Sequence, residues 1–91
     1  MNPYEYGVLL PKSLPEEVLQ FLTGYIHELR AGDHYLFSSI FEVHHPYVKL
    51  QILRNDGTTD HQWKVRLPIH YILAVADLSD RQVRQKMGFV V

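Results

Sequence analysis

Apolar and polar positions alternate most regularly over residues 47–67, YVKLQILRNDGTTDHQWKVRL. Val48, Leu50 and Ile52 share one parity, and Tyr47, Lys49 and Gln51 share the other. Further on, Trp63, Val65 and Leu67 are apolar, with Gln62, Lys64 and Arg66 interleaved. A period of two predicts half-buried antiparallel strands. Asn55-Asp56-Gly57 tolerates positive φ and so predicts a tight hairpin between them. Pairing residues whose numbers sum to 113 sets Leu50 opposite Trp63, Val48 opposite Val65 and Ile52 opposite His61, around a two- or four-residue loop. A slip of one would set Leu50 against Gln62 and turn one apolar set to water. On the outer face the same register sets Lys49 against Lys64, Gln51 against Gln62 and Tyr47 against Arg66.

Residues 35–43 alternate as Tyr35, Phe37, Ser39, Phe41 and Val43, a third strand. Leu36 and Ile40 disturb the pattern and suggest cover on both faces. Pro46 lies in the connection to the next strand and suits a tight turn. Pairs summing to 91 then set Phe41 against Leu50, Val43 against Val48, and Glu42 against Lys49 with complementary charge.

Upstream, Tyr4, Tyr6, Val8 and Leu10 share a parity and predict a short strand at a sheet edge. Ser13-Leu14-Pro15-Glu16 matches a capping box. Leu14, Val18, Leu22 (or Phe21), Tyr25, Ile26 and Leu29 recur at helical spacing, and Gly32 suits the position just past a helix end. The pattern predicts a helix over about 14–30 lying on the sheet. After Pro68, residues 69–76 fit a strand through Ile69, Tyr71, Leu73 and Val75, or a helix through Ile69, Ile72, Leu73 and Ala76. Their β-branched content and short length favour the strand. Asp77 or Ser79 would cap a last short helix ended by Gly88.

The fold class expected is α+β: one N-terminal helix packed on a curved, mostly antiparallel sheet of four or five strands, or a small open barrel, with a short C-terminal helix. A helix followed by short antiparallel strands, the last entered through a proline corner, resembles in layout the small SH3-like or Sm-like barrels. No family motif accompanies that likeness, and it implies no residue roles.

Ninety-one residues make one domain, 1–91, and 46% hydrophobic content is ample for a core. A net charge of −1 gives no global pull towards nucleic acid or membrane, so binding has to come from a local patch. The absence of cysteine excludes disulfides and thiolate metal sites and accords with a reducing cytoplasm. No apolar run is long enough to span a membrane, and the N-terminus lacks the basic region of a signal peptide. A cytoplasmic protein with no membrane partner is expected.

Six histidines invite a metal reading, gathering His44, His45, His61 and His70 from neighbouring strands. Neither HExxH nor an H-x-x-x-H pair is present, and His61 fits a hydrogen-bonded place at the core edge, so no metal ligand or cofactor is assigned. Ser38, Ser39, Asp33 and Asp60 offer no nucleophile elbow, carboxylate pair or phosphate loop, so no catalytic residue is assigned and no enzyme is expected. Residues 78–88 echo the first helix of a helix-turn-helix, but no recognition helix fits before Val91.

The binding candidate is the outer row Tyr47, Lys49, Gln51, Gln62, Lys64 and Arg66: three cations, two amides and an aromatic ring, suited to an anion. Phe89-Val90-Val91 is the candidate oligomer interface, being too apolar for a free tail. The function expected is a small non-enzymatic interaction or adaptor module, self-associating as a homodimer or higher oligomer and binding a protein partner. The alternative is an RNA- or single-stranded-DNA-binding module, of modest affinity, using the outer hairpin face. A histidine-dependent metal site or hydrolase ranks last.

Overall fold

The computed structural model describes residues 5–28, 32–56 and 62–78. The strands are β1 (Tyr6–Leu10), β2 (His27–Glu28), β3 (His34–His44), β4 (Tyr47–Ile52), β5 (Trp63–Pro68) and β6 (Ala74–Asp77). One helix, α1 (Glu16–Phe21), and one 3-10 turn (Ile69–Tyr71) complete the described elements. The sheet is antiparallel and runs β5-β4-β3-β1-β6, with β2 paired to β3 off that path.

This corrects the expected fold class. Among the described residues no long N-terminal helix lies on the sheet: α1 has six residues, and the first described element is a strand. Ser13 does not cap it; Pro15 holds the N-cap position with no side-chain hydrogen bond. The helix gives way after Phe21 because Gly24 takes a left-handed φ of +92°, and His27 and Glu28 pair with Tyr35 and His34 of β3. Tertiary pairing there outweighs helical periodicity. Leu14 and Leu22 still reach the core, one from before the helix and one from just after it. The layout of a helix followed by strands is corrected as well, because β1 precedes α1 and pairs inside the sheet, and among the described residues no ladder joins β5 to β6.

The β3–β4 hairpin has the register expected, with Phe41 opposite Leu50, Glu42 opposite Lys49 and Val43 opposite Val48. Its faces differ from expectation. Ser38 pairs with Ile52, so Ser39 and Ile40 together oppose the single residue Gln51. This β-bulge reverses the parity of β3. Before it Leu36 and Ser38 are buried, with Tyr35 and Phe37 on the other side; beyond it Val43 is 49% exposed rather than in the core.

The β4–β5 pairing is shifted by two. Partners sum to 115: Leu50 faces Val65, Ile52 faces Trp63 and Tyr47 faces Pro68. A shift of two preserves parity, so Val48, Leu50, Ile52, Val65 and Leu67 are all buried. The short loop is also corrected, because residues 53–56 already lie outside the strand. The Leu53 amide donates to the Phe37 carbonyl at 3.1 Å, and the Asn55 amide donates to that of Gly24 at 2.9 Å. After Ile52 the chain leaves the ladder with β5: Leu53 stays bonded to β3, and Asn55 is tied to the turn after α1.

Strand β1 is interior, flanked by β3 and β6, not at an edge. Residues 69–76 combine a 3-10 turn with the start of β6, and Ala76 is the buried residue of that strand while Leu73 and Val75 face outward. The core is one cluster around Val8, Leu10, Leu36, Val48, Leu50 and Ile52, closed by Leu14 and Leu22. The C-terminal helix expected after residue 78, and Phe89, Val90 and Val91, lie outside the described residues. Among the described residues no helix is long and apolar enough to cross a membrane.

Candidate binding groove at the β5 edge

Alternation in β4 and β5 fixes where the outer row lies. With Val48, Leu50 and Val65 turned inward, Tyr47, Lys49, Gln51, Lys64 and Arg66 point the other way. The actual register sets Lys49 across from Arg66 and Gln51 across from Lys64. The like-charge pair expected between Lys49 and Lys64 is thus replaced by one between Lys49 and Arg66. The Arg66 guanidinium carbon lies 5.3 Å from the centre of the Tyr47 ring, a cation–π contact that orients it. Gln62 accepts from the Gln51 side-chain amide and, at 3.1 Å, from the Ser39 hydroxyl. The two amides therefore bind each other rather than a ligand.

Lys49 has a partial counter-charge. Glu42 is opposite it on β3, and its carboxyl is held below the ordinary value, first by the hydrogen bond with His44 at 3.0 Å, then by the charges of Lys49 and His44, against opposing desolvation. No ion pair involving Lys64 or Arg66 occurs among the described residues. A row of aromatic rings, not anticipated from the sequence, adjoins these cations. Tyr25 lies 5.2 Å from Trp63 and Trp63 lies 4.7 Å from Phe21, centre to centre. Arg54 caps the inner end, 5.6 Å from the Tyr25 ring. Phe21, at the outer end, is 50% exposed.

The cations and the rings meet in one groove of about 490 Å³ lined by Phe21, Lys49, Trp63, Lys64, Val65 and Arg66. That volume is within the range of small-ligand clefts, about 300–1,000 Å³. Among the described residues, three cations line it and no carboxylate does. Of the six residues expected from the sequence, the structure brings Lys49, Lys64 and Arg66 into the groove; Tyr47 braces Arg66, and Gln51 and Gln62 brace each other. Phe21 and Trp63 were missed because the predicted long helix and the Leu50–Trp63 pairing assigned both to the core. The sequence signal was α1 itself: Phe21 and Leu22 compete for one apolar position, and only one can be buried.

Among the described residues the histidines do not converge. Among the described residues no group of three or more histidine, aspartate or glutamate side chains could hold a metal ion. His44 bonds Glu42 and stacks on Tyr47 at 5.5 Å, while His70 packs beside Tyr71. His61 lies outside the described residues. Ser38 is buried at the bulge and bonds backbone groups of Ile40 and Gln51, and Ser39 bonds the Gln62 side chain.

The chain matches no protein-family model, and no curated protein or solved structure is significantly similar to it.

Proposed function

We propose that the protein is a non-enzymatic binding module for nucleic acid, with the phosphate backbone held along the β5 edge. The observation carrying this reading is the groove lined by Lys49, Lys64 and Arg66, with no carboxylate among the described residues that line it. A phosphate chain satisfies cations spaced along a strand, and the cation–π contact with Tyr47 leaves the Arg66 charge intact. Three cations on a protein of net charge −1 give a contact of modest affinity and strong salt dependence. The absence of cysteine accords with a cytoplasmic setting.

The test is titration of a labelled oligonucleotide at low and physiological salt. For a single strand the logarithmic salt slope should be about −2, near 0.7 per phosphate neutralised. Lys49→Glu with Lys64→Glu, with an unchanged circular dichroism spectrum, should abolish binding. Equal binding by the double variant would rule the groove out.

Self-association is the second reading, favoured by Leu73, just before β6, and Val75 within it, which are 59% and 37% exposed at the end of the described sheet. Sedimentation of Leu73→Lys and Val75→Lys variants against the parent distinguishes a β6-mediated oligomer from a monomer.

A further inference from the structure

Phe21 is half exposed at the end of an aromatic row whose other members are anchored. Trp63 is half-buried and paired with Ile52 in the ladder, and Tyr25 packs on its far side. Phe21 sits 4.7 Å from Trp63 with the ring planes tilted by 38°. It stands at the last position of α1, where the chain turns away, so its ring is held at the surface by the Trp63 contact. Phe21 presents a half-exposed ring beside three cations, a face on which a second flat ring can stack. A ligand carrying both flat rings and anionic links satisfies both halves of the groove. Backbone phosphates alone would leave Phe21 unused, and a run of acidic residues alone would supply charge with no ring.

We infer that the groove selects single-stranded nucleic acid, stacking one unpaired base on Phe21 while Lys49, Lys64 and Arg66 hold the neighbouring phosphates. This rests on the nucleic-acid reading above and adds strand selectivity to it. Bases in a duplex are already stacked and shielded, so a duplex reaches the cations but not the ring. Stacking is tolerant of base identity, since every base presents a π-face, and little sequence preference follows.

Four probes of equal charge separate the possibilities: a thymidine single strand, an abasic strand, a duplex and polyglutamate, each titrated at low salt while Trp63 emission is followed. The thymidine strand should bind about ten-fold more tightly than the other three and should alone quench Trp63, through its contact with the Phe21 site. Phe21→Ala should remove that ten-fold preference and leave binding of the abasic strand unchanged, and Phe21→Trp should restore it. Because Phe21 is at the surface, both variants should keep the parent circular dichroism spectrum. Equal binding of the thymidine strand, the abasic strand and the duplex, or a preference that survives Phe21→Ala, would overturn base stacking and leave the phosphate reading standing. Equal binding of polyglutamate as well would overturn both. Failure of every probe to bind would overturn both.

Discussion

The hydroxyl of Ser38 lies 3.0 Å from the backbone nitrogen of Gln51, which donates to it across the β3–β4 ladder. Ser38 is fully buried, and its oxygen also accepts from the Ile40 amide at 3.3 Å. The single proton of the hydroxyl is directed at the carbonyls of Ile40 and Gln51. A bulge leaves ladder groups without partners, and this side chain supplies them. Ser38→Ala is expected to cost about 1–3 kcal/mol, the penalty for buried amides left unpaired. Chemical denaturation measures it, and a change within error would mean that water replaces the hydroxyl at no loss.

Leu50 and Phe21 should respond very unequally to truncation. Leu50 is fully buried between Phe41 and Val65, so Leu50→Ala should cost about 2–5 kcal/mol. That is a large share of the stability of a domain this small. Phe21→Ala should cost less than about 1 kcal/mol, because half of the ring is already in water. Denaturation midpoints of the two variants provide the comparison. A larger loss at Phe21 would assign that ring to the core rather than to the groove.

What the sequence made legible follows from which signals are local. Alternation in β4 and β5 placed Val48, Leu50, Ile52, Val65 and Leu67 on the buried face, and that survives a register shift of two. The shift itself was hidden, because the bonds from Leu53 and Asn55, where the chain leaves the ladder with β5, reach Phe37 and Gly24, far away in sequence. The helix was over-extended because Leu14, Val18, Leu22 and Ile26 keep helical spacing while only Glu16–Phe21 is helical. The irregularity at Leu36 and Ile40 was visible and was attributed to two-sided burial, where its cause is the bulge. Three cations of the groove were legible from their parity; its aromatic half was not, since it depends on where α1 stops.

Gly24 should tolerate a side chain sterically but not conformationally. A Cβ there would meet the Arg54 guanidinium at 3.6 Å, an ordinary contact. The φ of +92° is the obstacle, costing an L-residue about 1–2 kcal/mol. Gly24→Ala should therefore lower stability by about that amount. It should also weaken the Asn55 amide bond to the Gly24 carbonyl, readable as faster hydrogen exchange at Asn55. Unchanged stability would mean that the turn after α1 relaxes to negative φ.

His27 should make the fold sensitive to mild acid. It stacks on Tyr35 at 4.8 Å and meets Phe37 edge-on at 5.0 Å, and its Nε2 is buried with no hydrogen-bond partner among the described residues. Burial pushes its pKa below the usual 6.5 by penalising the imidazolium. The titratable group facing it on β3 is Tyr35, whose phenol burial pushes upward and keeps neutral, so no anion there offsets a proton on His27. Above pH 6.5 both folded and unfolded chains carry neutral His27, and it contributes no pH dependence. As pH falls below 6.5 the unfolded chain takes up a proton that the folded chain resists, so stability declines until the lowered folded pKa is reached. His27→Phe removes the titrating group and keeps an aromatic ring against Tyr35. Its denaturation midpoint should fall less steeply than that of the parent between pH 6.5 and mild acid. Parallel profiles for the two proteins would show that another histidine carries the acid sensitivity.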